Sequence, residues 1–280
     1  MIERAGILAS LFRVGNSALL GVLAVFSVKA TASSGSWSLL HLSLLFTSWT
    51  ALAATAYAIN DVVDRVNDRV NRPARYLQRV DRTPRWIVAS ICIAGLAAVS
   101  TGVFVPMKRF LILEIAWSCC AIGYSFGLKR RSGLMANILS ALCVTGSAAP
   151  GLFQGYSPRL MAFLLVLFLL MLAREIWKDI EDEAGDSVAG LRTLPILRGR
   201  TFAGRCACIV SAAAFLVLIL DRPLGASLEI IAICVSGTGL IASGLLFADP
   251  SIIPARGIQR MLRHMAILVF ALFLVGTVFI

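Results

Sequence analysis

Long apolar runs recur along almost the whole chain, and they constrain its fold more than any other feature. Each is close to the roughly 20 predominantly apolar residues that a helix needs to cross a bilayer. We identify nine such runs, at about residues 13–31, 39–59, 86–105, 109–127, 134–152, 159–176, 203–220, 226–247 and 262–280. The chain is 59% hydrophobic, whereas soluble domains are about 45–50% apolar. We therefore predict an all-α membrane protein with nine transmembrane helices, in a single domain over residues 1–280.

The distribution of basic residues supports this number of spans. With the N-terminus inside, only five of the 26 Lys and Arg residues fall on the outer face: Lys29, Lys108, Arg109, Arg159 and Arg222. Cytoplasmic loops of membrane proteins typically carry an excess of Lys and Arg, so this distribution supports the predicted number of spans. The net charge of +11 therefore reflects topology and gives no reason to expect a nucleic-acid partner. We expect no secretory signal and a location in the cell (inner) membrane.

Two acidic stretches with the same spacing follow the second and sixth runs, on the predicted cytoplasmic face. In NDVVDRVND the acids are Asp61, Asp64 and Asp68, and in KDIEDEAGD the matching acids are Asp179, Asp182 and Asp186. On a helix these offsets fall within about 60° of one another, so each set forms one stripe. Glu175 extends the second stripe by one turn. Asn60 precedes the first motif, and Lys178 has the equivalent position before the second.

Three carboxylates on one stripe repel each other, and a divalent cation relieves this repulsion. Oxygen ligands without His or Cys favour Mg²⁺ or Ca²⁺ over zinc or copper. Mg²⁺ takes one or two carboxylates and completes its shell with water and phosphate oxygens. A charged, solvated helix end would explain one stretch alone, but a matched pair predicts a magnesium-dependent diphosphate site.

Basic residues follow these stretches and would complete a site for a multiply charged anion. Arg72 follows the first motif, Lys129 lies in YSFGLKRR, and Arg192 follows the second motif in GLRTLP. Each of them taken singly also fits an ordinary anchor at the membrane surface.

With these motifs, the chain resembles the UbiA-type superfamily of intramembrane prenyltransferases. NDVVDRVND resembles its NDxxDxxxD motif, KDIEDEAGD its second aspartate-rich motif, and YSFGLK its YxxxK motif. Asn16 in FRVGN resembles a first-helix element often written RPxN, with Val14 in place of proline.

The resemblance implies a helical bundle around a central cavity with the aspartates at its cytoplasmic mouth. It implies Mg²⁺-dependent transfer of an isoprenyl group from a polyprenyl diphosphate to a lipophilic or aromatic acceptor. The six aspartates would be the catalytic and metal-binding residues. Substrate-binding residues would be Asn16, Asn60, Arg72, Tyr124, Lys129, Lys178 and Arg192.

The sequence does not distinguish between a lipid and an aromatic acceptor. NRPARYLQRVDRTP departs from the family's usual RPLPSG-like segment, which helps to cap the active site. REIWKDIEDEAGDSVAGLRTLP is closer to branches that prenylate homogentisate-like rings or geranylgeranylglyceryl phosphate.

The predicted chemistry is ionisation of an allylic diphosphate in a dry pocket. Tyr57, Tyr124 and Trp177 would face the cation, although packing at the membrane interface explains such aromatics equally well. The alternatives are a membrane terpene cyclase on the same scaffold, an ion-coupled transporter, and a catalytically inactive relative. Against transport, the acids cluster at one face, with Glu114 as a lone exception.

Overall fold

The computed structural model describes residues 2–31, 37–73, 76–78, 82–105, 108–221 and 255–278. Within these ranges the chain forms helices and no strand, so the all-α prediction is confirmed. The helices are α1 Ile2–Leu11, α2 Val14–Thr31, α3 Leu39–Val63, α4 Arg65–Asn71, α5 Arg85–Val103, α6 Lys108–Gly123, α7 Lys129–Arg131, α8 Gly133–Gly146, α9 Ala149–Leu152, α10 Pro158–Val188, α11 Leu194–Arg198, α12 Arg200–Asp221 and α13 Ala255–Val278. A 3-10 turn covers Tyr76–Gln78, and a π-helical segment, Tyr124–Leu128, follows α6.

Six of the described helical segments are long and apolar enough to cross a membrane. They are Val14–Thr31, Leu39–Val63, Arg85–Val103, Arg109–Leu128, Pro158–Val188 and Arg200–Leu220. The chain is therefore a multi-pass membrane protein by length and composition. The predicted span at 226–247 lies outside the described residues, and α13 overlaps the last predicted span without being among the six, so the count of nine stays a prediction.

The predicted continuous span over 134–152 is interrupted in the structure. Helix α8 ends at Gly146, and the four-residue α9 begins at Ala149. Pro150 explains the break, because proline has no amide hydrogen and its ring clashes with the carbonyl four residues earlier. Helix α9 then packs on α2, where the Gly151 amide donates to Ser27 Oγ over 3.1 Å.

The two longest spans begin at serine caps. Ser38 Oγ accepts from the His41 amide at the start of α3, and Ser157 Oγ accepts from the Leu160 amide at the start of α10, both over 3.2 Å. Each serine satisfies an amide that has no partner inside the helix. Pro158 is favourable at the first position of α10, since its fixed φ suits a helix.

The chain falls into two compact units, which we describe separately. The first comprises Met1–Gly127 and Gly146–Tyr156, and the second comprises Leu128–Thr145 and Ser157–Ile280. In the first unit α3 packs against α2, α5 and α6. Fully buried Trp49 on α3 contacts Trp117 on α6, with ring centroids 5.7 Å apart.

Glu114 lies buried at the junction of three helices of the first unit. The Ser48 hydroxyl of α3 lies 2.6 Å from Glu114 Oε1 and 3.0 Å from the Ala98 carbonyl oxygen of α5. A Cβ on Gly102 would lie 2.1 Å from Glu114 Oε2. Glycine at position 102 therefore makes room for the carboxyl group between α5 and α6.

In the second unit α10 packs against α12 and α13. Fully buried Phe163 on α10 stacks on Phe273 of α13, with ring centroids 4.0 Å apart. Helix α10 has 31 residues and continues beyond its apolar part to carry the whole second motif. A packed apolar half thus holds the acidic half of the same helix in place.

Candidate active site

The first motif lies where α3 meets α4. Asp64 falls between the two helices, but its amide donates to the Asn60 carbonyl over 2.8 Å, and the Asp68 amide donates to the Asp64 carbonyl over 2.9 Å. These bonds have helical spacing, so the turn continues through the junction. Asp61 and Asp68 are buried and Asp64 is half-buried. The backbone of Asp64 nevertheless departs from helical geometry, with a ψ of 11°, so Asp61 and Asp68 lie on two successive helices and the single stripe stays a prediction.

Arg13, between α1 and α2, is the ion-pair partner of Asp61. Its Nη2 lies 2.5 Å from Asp61 Oδ1, and its guanidinium lies 4.9 Å from the centre of the Tyr57 ring. Burial acts to lower the pKa of Arg13, but the neighbouring charges of Asp61 and Tyr57 together with the hydrogen bond to Asp61 outweigh it, so the pKa is raised above its ordinary value. Arg13 also has a φ of 45°, the one positive φ among the described non-glycine residues. This unusual backbone directs a fixed cation to the first motif.

The other two aspartates of the first motif also have polar partners. The Asn60 side-chain amide donates to Asp64 Oδ2 over 2.9 Å, and Arg72 Nη1 donates to Asp68 Oδ1 over 3.0 Å. Ser125 lies in the π-helical segment, and its hydroxyl oxygen is 3.5 Å from Asn60 Oδ1. The structure therefore brings together Asn60, Arg72 and the three predicted aspartates within the first unit.

The second motif forms a buried acidic stripe on α10. Glu175, Asp179, Asp182 and Asp186 are all at most 7% exposed. Asn137 of α8 donates its side-chain amide to Asp179 Oδ2 over 2.7 Å. Lys178 Nζ lies 3.7 Å from Asp182 Oδ2, which is an ion pair within one helical turn. The predicted spacing thus places three buried aspartates on one face of a single helix.

The two glutamates of KDIEDEAGD pair with arginines of neighbouring helices. Arg256 Nε donates to Glu181 Oε1 over 2.7 Å, and Arg200 Nε donates to Glu183. Both arginines are largely exposed. These pairs connect α10 to the first turns of α13 and α12, so the glutamates are structural and the aspartates form the candidate site.

Four of the remaining predicted residues lie on α2, in the π-helical segment, before α11 and on α10. Asn16 lies half-buried in the first turn of α2, Tyr124 begins the π-helical segment, and Arg192 is exposed in the turn before α11. Trp177 is buried on α10. The side chain of Lys129 lies outside the described residues. The roles predicted for these residues stay predictions.

Two contacts of the aspartates could not be assigned from the motifs alone. Arg13 interrupts the apolar character at the start of the first run and has the arginine position of the RPxN-like element, but neither signal identifies Asp61 as its partner. Asn137 is an uncharged polar residue inside an apolar helix, and sequence offers no way to know which residue it contacts.

The donor atoms of the two motifs fit magnesium. They are carboxylate and amide oxygens, the hard ligands that Mg²⁺ prefers. Across the described ranges, no three Asp, Glu, His or Cys side chains converge closely enough to hold a metal ion. Mg²⁺ takes few protein ligands and completes its octahedron with water and substrate phosphate.

Comparison with known proteins agrees with this class of site. The sequence matches the UbiA prenyltransferase family over residues 18–253. It is 33% identical over 236 residues to a digeranylgeranylglyceryl phosphate synthase of Halobacterium salinarum, covering 82% of each chain. The chain belongs to the UbiA prenyltransferase family, as the motifs predicted.

Solved structures show the same fold. A structure reported for a digeranylgeranylglyceryl phosphate synthase superposes with a TM-score of 0.74 at 21% identity, over 99% of this chain and 100% of the other. A UbiA homologue from Archaeoglobus fulgidus bound to GPP and Mg²⁺ gives a TM-score of 0.65 at 19% identity, over 95% of this chain and 99% of the other.

Proposed function

We propose that this protein transfers a geranylgeranyl group from its diphosphate to the hydroxyl of a glycerol-ether lipid phosphate, in a Mg²⁺-dependent reaction. The observation that carries the proposal is the pair of aspartate motifs with matched spacing, in which five of the six aspartates are buried. Carboxylates buried in a membrane protein are costly and are typical of functional sites. Here one motif lies beside Arg13 and Arg72, and Lys178 lies beside the other.

The carboxylates of each motif would hold Mg²⁺, and the nearby cations would bind the diphosphate. When bound, Mg²⁺ supplies positive charge that stabilises the leaving diphosphate. Asp61, Asp68 and Asp182 already lie beside Arg13, Arg72 and Lys178. These cations would be positioned before the reaction to meet the charge that develops on the phosphate oxygens.

The transfer is balanced without a further reactant. The bond between C1 of the prenyl group and the diphosphate oxygen breaks, and its electron pair leaves with the diphosphate. The acceptor hydroxyl forms a new C–O bond to C1 and releases its proton. The tightly packed apolar helices would keep water from the allylic cation.

The glycerol-ether acceptor is inferred from the relatives. The Halobacterium salinarum relative is a digeranylgeranylglyceryl phosphate synthase, and it covers most of the chain. Relatives from Ignicoccus hospitalis and Methanopyrus kandleri have the same name, at 28% and 33% identity. We therefore favour geranylgeranylglyceryl phosphate over an aromatic acceptor.

The test is incubation of the purified protein with geranylgeranyl diphosphate, Mg²⁺ and one acceptor at a time, followed by mass spectrometry. The acceptors are geranylgeranylglyceryl phosphate, homogentisate and 4-hydroxybenzoate. We expect the lipid acceptor alone to gain one geranylgeranyl group, with one diphosphate released for each product. If homogentisate or 4-hydroxybenzoate gained the geranylgeranyl group instead, the acceptor would be aromatic and the lipid assignment would be wrong. A cyclised hydrocarbon made without acceptor would replace it with cyclase activity.

Two adjacent acids on α10 provide a matched pair of variants. We expect Asp182→Asn to abolish transfer, because Asp182 belongs to the buried stripe. We expect Glu181→Gln to retain transfer, because Glu181 points about 100° or more around the helix from each aspartate of the stripe and pairs with the exposed Arg256. EDTA should stop the reaction, and added Mg²⁺ should restore it. Equal activity of the two variants would refute the assignment of the stripe.

We also propose the nine-span topology, with the N-terminus and both motifs in the cytoplasm. The bias of basic residues supports this orientation. Reporter fusions test it: alkaline phosphatase should be active when fused at residues 33–36 and inactive when fused at residues 79–81. The reverse pattern would invert the proposed orientation.

A further inference from the structure

We infer that Asn137 is a positioning residue for Asp179, which fixes this carboxylate of the second motif for Mg²⁺ and diphosphate. The inference rests on the proposed function. Asn137 is 3% exposed and Asp179 is 7% exposed, and 42 residues separate them in the sequence. Their hydrogen bond of 2.7 Å connects α8 to α10.

An amide is well suited to this task. Asn137 donates one hydrogen bond to Oδ2 and contributes no charge, so it does not neutralise the carboxylate as a cation would. A carboxylate has about four lone-pair sites, and this bond uses one of them. Asp182 differs, because its neighbour Lys178 is itself a cation. Asn137 therefore limits the rotation of Asp179 without competing with a metal ion for charge.

Asn137 is itself held in a fixed position. It lies one turn after Gly133, the first residue of α8. The Gly133 amide donates to the Arg192 carbonyl over 2.9 Å, and a Cβ on Gly133 would lie 2.5 Å from Thr193 Cα. The start of α8 is thus packed directly on the backbone of the turn that follows α10. This contact sets the register of α8 and with it the position of the Asn137 amide.

The experiment measures metal binding without turnover. The protein is heated in fixed inorganic pyrophosphate at increasing Mg²⁺, and the Mg²⁺ concentration that gives half of the maximal thermal stabilisation is determined. We expect Asn137→Leu, which keeps the size and removes the donor, to raise this midpoint by about tenfold, as for other groups that orient metal ligands.

Thr145→Val is the matched control. Thr145 is a buried polar residue on the same helix, and its hydroxyl donates within α8 to the Ala141 carbonyl over 3.1 Å. We expect its melting temperature to change while its Mg²⁺ midpoint stays at the wild-type value. A purely structural role of Asn137 would give this same pattern in Asn137→Leu, and that result would overturn the inference.

An exchanged pair keeps the test decisive if Asn137→Leu does not fold. The double variant Asn137→Asp with Asp179→Asn retains one carboxylate and one amide but moves the carboxylate to α8. We expect thermal stability near wild type and a Mg²⁺ midpoint at least about tenfold higher. A wild-type midpoint in the exchanged pair would refute the inference.

Asp179→Asn alone separates this inference from the proposed function. If the midpoint rises in Asp179→Asn but not in Asn137→Leu, the metal role of Asp179 stands and the positioning role of Asn137 fails. If it rises in neither variant, Asp179 does not bind the metal, and both this inference and that part of the proposed function fail.

Discussion

The contact between Gly133 and the turn at residues 192–193 gives the most direct prediction. In Gly133→Ala, the new Cβ would lie 2.5 Å from Thr193 Cα, 2.7 Å from the Arg192 carbonyl oxygen and 3.1 Å from the Thr193 nitrogen. Carbon atoms in contact are normally about 3.5–4.0 Å apart, so the overlap is about 1 Å. All three atoms belong to the backbone and cannot rotate away. Either α8 or the turn has to move.

The expected cost follows from this overlap. Adding a methyl group to a packed site costs about 1–3 kcal/mol, and a clash with backbone belongs at the upper end of this range. Alanine returns less than about 1 kcal/mol through its lower backbone entropy in a helix. We therefore expect a net loss of about 2 kcal/mol of unfolding free energy, which corresponds to a melting temperature about 3–4 °C lower for a chain of 280 residues.

Tryptophan fluorescence during heating of the detergent-solubilised protein measures this shift. Gly204→Ala is the control, because a Cβ there would make an ordinary contact of 3.5 Å with the Trp177 ring. We expect the control to melt at or slightly above the wild-type temperature. A Gly133→Ala protein that melts within 1 °C of wild type would show that α8 is not packed on this turn as described.

Substitutions at three further positions have defined outcomes in the same thermal assay. Glu114→Gln should lie within about 1 kcal/mol of wild type, because its amide can still bond Ser48, whereas Glu114→Leu should cost about 1–3 kcal/mol; equal effects would contradict that hydrogen bond. Arg13→Ala should cost about 2 kcal/mol, less than the 3–5 kcal/mol of a fully buried pair because Arg13 is partly exposed. A neutral Arg13→Ala would contradict its pairing with Asp61. Arg256→Ala removes an exposed ion pair and should change stability by less than about 1 kcal/mol.

The helical class and the acidic stripe of α10 could be predicted because both depend on local periodicity. Apolar runs of about 20 residues have few alternatives to membrane helices. Offsets of three and seven residues fix a face of a helix, and the structure places Asp179, Asp182 and Asp186 on one face of α10. The departure over residues 134–152 also has a local cause in Pro150, which the mean apolarity of that run conceals.

The partners of the acids could not be predicted, because they depend on contacts between segments distant in sequence. The bond between Asn137 and Asp179 spans 42 residues, and the pair of Arg13 and Asp61 spans 48 residues. Basic residues near each motif made cations plausible partners, but apolar periodicity carries no information about which helix faces an amide. The sequence therefore predicts the type of site and leaves its supporting contacts to the structure.

The ion pair between Glu181 and Arg256 predicts how a C-terminal truncation would affect the second motif. Arg256 begins the last described helix and reaches back to Glu181, which lies one residue before Asp182. Shortening the protein at its end would thus release a brace on the acidic half of α10, and Phe163 would lose its stacking partner Phe273 as well. Activity lost on such a truncation would report a loosened scaffold rather than a missing chemical group.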